Sequence, residues 1–245
     1  MKIVIATVKK WNVDSADLFR EQNKDVHDIT VLTQYAELTP DRVRGLNPDY
    51  IFFPHWSRMI PRDIFKAYKC VVFHMTDLPF GRGGSPLQNL LSRGIYETQI
   101  SAIEVCGECD AGGVYMKSPL TLYGTAEEIY MRASRMIFDE MIPFIVENSP
   151  AAKKQQGNVV LFKRRTPDMS EISPNMSIRQ IFDLIRMTDA DEYPSAFINF
   201  GEYRLLFNRA KLTHDGIYAD VQIQKSDKSD ISDKSDISER NFTNE

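Results

Sequence analysis

Apolar positions along the first half of the chain follow two periods in turn. Lys2 to Thr7 (KIVIAT) is a β-branched run with no polar alternation, which predicts a strand buried on both faces. Ala16, Leu18 and Phe19 then fall at helical spacing within Asp14 to Gln22. DITVLT (Asp28 to Thr33) predicts a second strand, and TPDRVRGL a short helix with a capping threonine, a proline at its first position and Gly45 as its stop. YIFFP predicts a third strand, PRDIFKAY a helix starting on Pro61, and CVVFHM a fourth strand. This alternation predicts an α/β fold, Rossmann-like and doubly wound on a mostly parallel sheet, with ligands beyond the carboxyl ends of the strands.

Further along, PLQNLLSRG predicts a helix opened by Pro86 and stopped by Gly94. QISAIEV (Gln99 to Val105) and GVYMKSPLTL predict two more strands. Thr125 and Glu128 form a capping-box pattern at the head of a long helix, expected to reach Asn148 with a kink or an end at Pro143. The first domain is therefore expected over residues 1–150. A C-terminal appendage is expected over 151–220, with a helix at Ser177 to Met187 and a hairpin around Gly201. The last stretch, 221–245, repeats DKSDIS at Asp227 to Ser232 and Asp233 to Ser238, and is too polar to bury a core, so a flexible tail is expected.

A chain of 245 residues can bury one principal core without disulfide staples. Its 34 acidic and 30 basic residues leave a formal charge of -4, which disfavours a broad electropositive surface for nucleic acid. Three cysteines and no leader pattern predict a reducing, cytoplasmic setting. No apolar run is long enough to cross a bilayer, so no membrane partner is expected. KKWN (Lys9 to Asn12) follows the first strand where a dinucleotide fold would carry its glycine fingerprint, and no G-x-G-x-x-G is present.

Candidate chemistry concentrates in FHMTDLPFGRGGSP (Phe73 to Pro86). His74 falls at a predicted strand end, where an imidazole acts as a general base near pH 7 or is simply satisfied above a structural turn. The glycines ahead of Ser85 and Pro86 bare the backbone amides of a helix start, as a floor for an anion or a carbonyl would require. A second constellation, ECDAGGVY, places Asp110 beside glycines in a tight turn, where a carboxylate can orient an imidazole or stabilise its charged form. CGEC (Cys106 to Cys109) has redox-pair or half-zinc-site spacing, but no second C-x-x-C exists, so no metal is expected.

Taken together, VFH (Val72 to His74), the Leu78 and Pro79 turn, RGGSP (Arg82 to Pro86) and CDAG (Cys109 to Gly112) resemble the folate-dependent formyltransferase superfamily. Its pattern is Asn-x-His, Leu-Pro, Arg-Gly-x-x-Pro and Leu-Asp-x-Gly, and it includes methionyl-tRNA, glycinamide ribonucleotide and sugar N-formyltransferases. PDYIFFPHWSRMIPRDIF (Pro48 to Phe65) and IRMTDADEYPSAF (Ile185 to Phe197) are similar to two further family segments, so the likeness runs over roughly Lys2 to Leu212.

The resemblance implies 10-formyltetrahydrofolate as formyl donor, held by Arg58, Met59, Ile60, Cys106, Gly107 and Asp110. It implies His74 as general base oriented by Asp110, and no metal. The family asparagine that helps bind the oxyanion is Val72 here, so another donor is needed; His55 is the first choice, then Ser57 and Thr76. The acceptor that fits best is a nucleotide-linked amino-deoxysugar, as in enzymes resembling those of the pseudaminic acid route. A methionyl-tRNA enzyme is expected to carry a further C-terminal domain and a basic face. The acceptor contacts are Lys10, Trp11, Asn12, Thr76, Arg82, Gly83, Gly84, Ser85, Arg164 and Arg165, although Lys163 to Arg165 also reads as an ordinary solvated charge run. Another amine acceptor, on methionyl-tRNA or an aminoacyl carrier, and a decayed binding protein are the alternatives. A homodimer through the hairpin near Gly201 is a further expectation.

Overall fold

The computed structural model describes residues 1–191 and 193–226. The DKSDIS repeats and their expected flexibility lie outside the described residues. The chain divides into two compact units, one of residues 1–165 and one beginning at Thr166.

In the first unit, β1 (Lys2–Ala6), β2 (Asp28–Leu32), β3 (Tyr50–Phe53) and β4 (Lys69–His74) run parallel, with Ile3 in register with Ile29 on one side and Tyr50 on the other. Between them lie α1 (Lys10–Asn23), α2 (Pro40–Leu46) and α3 (Arg62–Ala67). Ile3, Val4, Ile5 and Ala6 of β1 are all buried, as a strand covered on both faces requires. One face packs Val4, Ala6, Ile51, Phe53 and Cys70 against Val43 of α2 and Ile64 of α3. Helix α1 starts four residues earlier than its periodicity suggests, so Lys10, Trp11 and Asn12 stand in its first turn. In α2, Thr39 caps the Arg42 amide as expected, but Gly45 stays inside the helix and Asn47, at φ 46°, takes the left-handed stop.

After β4 the chain forms the short β5 (Phe80–Gly83) and α4 (Pro86–Leu91), then β6 (Glu97–Glu104) and β7 (Val114–Thr121). Among the described residues six strands make the main sheet, in the order β2-β1-β3-β4-β6-β7, with β6 and β7 antiparallel to their neighbours. The sheet is thus mostly parallel, and its reversal has a simple cause. A parallel crossover must return along about 20 Å of β4, whereas the six residues of α4 span about 9 Å. The chain therefore enters β6 from the carboxyl edge, with Ser101 opposite His74.

Thr125 and Glu128 form the expected capping box at the head of α5 (Ala126–Met136). The helix passes through one widened turn at 137–141 into α6 (Ile142–Asn148), with Pro143 in the first turn of α6. Proline cannot supply the amide to residue 139, and the extra residue in the preceding turn absorbs that loss without ending the helix. Residues 151–165, expected to open the appendage, instead belong to the first unit: β8 (Val160–Phe162) pairs with β5.

In the second unit, Ser177 and Gln180 cap α7 (Ile178–Thr188). Strands β9 (Ala196–Phe200), β10 (Tyr203–Leu212) and β11 (Ile217–Lys225) form an antiparallel sheet in the order β11-β10-β9, with Gly201 at φ 60° in the β9-β10 turn. The hairpin expected there is present, and residues 221–225, expected to open the flexible tail, instead pair with β10 as part of β11.

Candidate active site

His74 is the last residue of β4 and is 8% exposed. Its Nε2 lies 2.7 Å from the carbonyl oxygen of Gly81. A carbonyl can only accept, so Nε2 carries the proton, and Nδ1 is the ring atom that can take up another. Nδ1 lies 3.5 Å from Oδ2 of Asp110. The turn that presents the Gly81 carbonyl is itself tied down: Ser101 Oγ donates to the Thr76 carbonyl at 2.7 Å, and Lys117 Nζ donates to Asp77 Oδ1 at 2.5 Å and to the Leu78 carbonyl at 2.6 Å. Thr76, expected among the acceptor contacts, points its hydroxyl at the Gly81 carbonyl at 3.4 Å.

Asp110 sits between β6 and β7 at φ 51°, in the left-handed region that Asp tolerates better than most residues. Its Oδ2 accepts the Gly83 amide at 2.9 Å and the Cys109 thiol at 3.3 Å. Behind it, Gln155 Nε2 donates to the carbonyls of Asp110 and Gly112 at 2.8 and 2.9 Å. Gln155 Oε1 in turn accepts Nε and Nη2 of Arg82 at 3.1 and 2.8 Å, while Nη1 of Arg82 reaches Glu108 at 3.2 Å. The chain thus brings together His74, Asp110, Thr76, Arg82 and Gly83, from the ends of β4 and β5 and the β6-β7 turn.

The glycine loop is bare for a reason other than the one its sequence suggests. A Cβ on Gly81 would lie 2.7 Å from the Phe162 ring, one on Gly83 2.3 Å from the Phe162 carbonyl, and one on Gly84 2.6 Å from Arg164 Cβ. The loop lacks side chains because β8 and the residues after it lie directly upon it. Its amides are committed as well: Gly83 donates to Asp110 and Gly84 to the Phe162 carbonyl at 3.2 Å. Ser85, at φ 50°, accepts the Arg165 amide on its hydroxyl at 3.1 Å, and Asn89 Nδ2 donates to the carbonyls of Gly84, Ser85 and Lys163. The expected anion floor is therefore an internal brace. Burial first and Asp110 next push the Cys109 thiol up to about 11, which the exposed Arg164 offsets only in part.

The remaining sequence candidates fall in two places. Asn12 is fully buried, with Oδ1 accepting Ser134 Oγ at 2.5 Å, so it ties α1 to α5 and is no acceptor contact. Trp11 stacks on Tyr130 at 5.9 Å between ring centroids, and His55 meets both rings edge-on. His55 is enclosed there at φ 51°, and burial, with Lys9 adding to it, lowers its pKa to about 4, so it is neutral at pH 7. Lys10 is exposed on the first turn of α1. On the loop after β3, Ser57 hydrogen-bonds Tyr35, Arg58 stacks 4.0 Å above the Tyr35 ring, Met59 is exposed and Ile60 belongs to the core. Val72, like Trp56 and Val105, packs on that same core, so an apolar side chain stands where the family pattern has asparagine. Cys106 points its thiol at the Glu108 carbonyl, and Gly107 has open space where a Cβ would stand.

Sequence reasoning missed Gln155, Lys117, Asn89 and Phe162. Gln155 lies in a polar run with no periodicity, and the others act through partners distant along the chain. Cavities of about 890 Å³, at Lys2, Arg20, His27 and Asp49, and about 470 Å³, at Asp77, Phe80, Glu97 and Gln99, both leave out His74 and Asp110. The His74 and Asp110 pair, rather than cavity size, therefore marks the candidate site. Among the described residues no cluster of three or more His, Cys, Asp or Glu could hold a metal ion, and no helix is long and apolar enough to cross a membrane.

Residues 167–224 match the family model described as the methionyl-tRNA formyltransferase C-terminal domain. The methionyl-tRNA formyltransferase of Lactobacillus johnsonii is 26% identical over 199 residues, covering 78% of this chain and 62% of its own length. The chain thus spans less than two thirds of that curated relative. The structure of HypX from Aquifex aeolicus in complex with tetrahydrofolic acid shares the fold at 16% identity, with a TM-score of 0.72 over 93% of this chain and 45% of that one. The structure of methionyl-tRNA formyltransferase from Clostridium thermocellum is 52% identical, with a TM-score of 0.91, over 92% of this chain and 100% of that one. With that identity across the whole of a solved relative, and with the His74 and Asp110 pair in place, this chain belongs to the formyltransferase family.

Proposed function

We propose that the protein transfers a formyl group from 10-formyltetrahydrofolate to a primary amine, with His74 Nδ1 as general base. The observation that carries the reading is the ring geometry: Nε2-H is committed to Gly81, so Nδ1 is free to accept a proton and faces the Asp110 carboxylate. The amine nitrogen attacks the formyl carbon and its proton passes to Nδ1. Asp110 stabilises the imidazolium; the bond from the formyl carbon to N10 then breaks, and N10 takes up the proton. Val72 offers no hydrogen bond to the developing oxyanion, so the newly charged imidazolium supplies that stabilisation, with the donor's own placement doing much of the rest. The loop after β3 and the Cys106 to Asp110 turn are the expected supports for the pterin.

For the acceptor, the names of the relatives and the C-terminal domain match favour the amino group of methionyl-tRNA over the amino-deoxysugar expected from the sequence. One observation keeps the sugar as a second reading. The guanidinium of Arg82 is spent on Gln155 and Glu108, and the net charge is -4, which suits a small acceptor better than a polyanion. Single-turnover formyl transfer to methionyl-tRNA and to a nucleotide-linked 4-amino-4,6-dideoxysugar, in wild type and His74→Ala, separates these readings. Transfer to either acceptor that survives His74→Ala undiminished would remove the proposed base.

A further inference from the structure

We propose that Cys109 is a positioning residue for formyl transfer: its thiol hydrogen, donated to Oδ2 of Asp110, keeps that oxygen facing His74 Nδ1, where it stabilises the imidazolium. The inference rests on His74 being the base and adds a residue that the reaction scheme does not otherwise use.

Three groups converge on one oxygen. Oδ2 of Asp110 accepts the Gly83 amide at 2.9 Å and the Cys109 thiol at 3.3 Å, and faces Nδ1 at 3.5 Å. The bonds from Gln155 anchor the main chain of the turn at the Asp110 and Gly112 carbonyls, so they leave the rotation of the carboxylate unfixed. Gly83 and Cys109 hold the side chain itself, from the loop in front and from its own turn. Cys109 is exposed, and its thiol keeps its hydrogen at neutral pH: partial burial first and the neighbouring carboxylate second push it up to about 11. Each donor fixes the place of Oδ2 opposite Nδ1. Removing the thiol hydrogen therefore leaves Oδ2 to the Gly83 amide alone and lets the carboxylate turn from the ring.

The test is hydrogen exchange of the Gly83 amide, which shares Oδ2 with the thiol, followed by NMR in wild type, Cys109→Ala and Cys109→Ser, beside kcat and KM. In Cys109→Ala that amide exchanges about threefold faster and kcat falls about threefold with KM unchanged, as loss of one modest hydrogen bond predicts. Cys109→Ser keeps a donor and returns both to the wild-type values. Equal exchange in wild type and alanine, or equal changes in alanine and serine, overturn the proposal. If the alanine variant folds poorly, methylthiolation of Cys109 in folded Cys106→Ser protein removes the same hydrogen, and unchanged exchange again overturns it. The exchange measurement needs no turnover. A protein that formylates no acceptor thus defeats the functional reading alone, while the Cys109 result stands or falls separately.

Discussion

Gly112→Ala isolates the placement of Asp110 from its chemistry. A Cβ on Gly112 would stand 1.7 Å from the Glu104 carbonyl oxygen and 2.8 Å from its carbon, both backbone atoms of β6 that cannot swing aside. Contacts under 3.0 Å are essentially never seen, so the strand and the turn must part by more than 1 Å. The Glu104 amide donates to the Gly113 carbonyl at 2.8 Å, and Gln155 donates to the Gly112 carbonyl, so that displacement strains bonds on both sides of the site. Overpacking of this kind costs about 1 to 3 kcal/mol of stability. The larger effect falls on rate, because a misplacement of about 1 Å lowers an oriented reaction by roughly a hundredfold. Thermal melts and single-turnover transfer at saturating donor and acceptor measure the two. A variant with wild-type stability and rate would show that the Asp110 turn does not set the geometry of His74, and the account of the site would fail with it.

Arg82→Lys distinguishes a brace from a ligand contact. Lysine cannot reproduce the fork to Gln155 and Glu108, so kcat falls about tenfold with acceptor KM unchanged, whereas a phosphate-binding role would raise KM. Asn89→Ala strips the Gly84 and Lys163 carbonyls of this donor, while the Ser85 carbonyl keeps the Asn89 backbone amide, and lowers stability by about 2 kcal/mol in urea titration; a loss under about 0.5 kcal/mol would mean that water replaces the bonds. His55 gives a pH signature. Its pKa falls from 6.5 to about 4 on folding, so between these values the unfolded chain binds the proton that the folded one refuses. Its contribution is complete above pH 6.5 and is lost as pH falls toward 4, amounting to about 2 kcal/mol between pH 7.5 and 5. His55→Phe removes that part of the acid sensitivity, and equal sensitivity in both proteins would refute the burial argument.

Elements whose own side chains encode them were legible in the sequence. The buried runs of β1 and β3, the capping box at Thr125, the helix opening at Ser177, and the Gly201 hairpin each rest on local patterns, and each stands where expected. Elements that exist only through distant pairing were not. FGRG has too few side chains to announce a strand, and it becomes β5 only because Val160 to Phe162 lies beside it. The first turn of α1 was hidden because Lys10 and Asn12 interrupt the apolar period, although Asn12 is buried through a hydrogen bond to Ser134. His74 and Asp110 were legible as strand-end and turn residues, and the family likeness joined them. Gln155, which fixes the Asp110 turn, offered no signal because its role depends on two carbonyls more than forty residues away.

Once the loop amides are spent internally, the electrostatics of the site follow. An anion floor would have drawn the reaction's negative charge toward Gly83 and Gly84, but those amides already satisfy Asp110 and Phe162. Val72 adds no donor on the neighbouring strand position. With His74 as the proposed base, the developing oxyanion then depends on positive charge created during the reaction itself, at Nδ1, beside a carboxylate that is held but not neutralised. Proton uptake and oxyanion stabilisation thus fall on the same ring, and His74→Ala removes both at once. Its effect on rate should accordingly exceed that of any single loop residue, including Arg82, by more than tenfold.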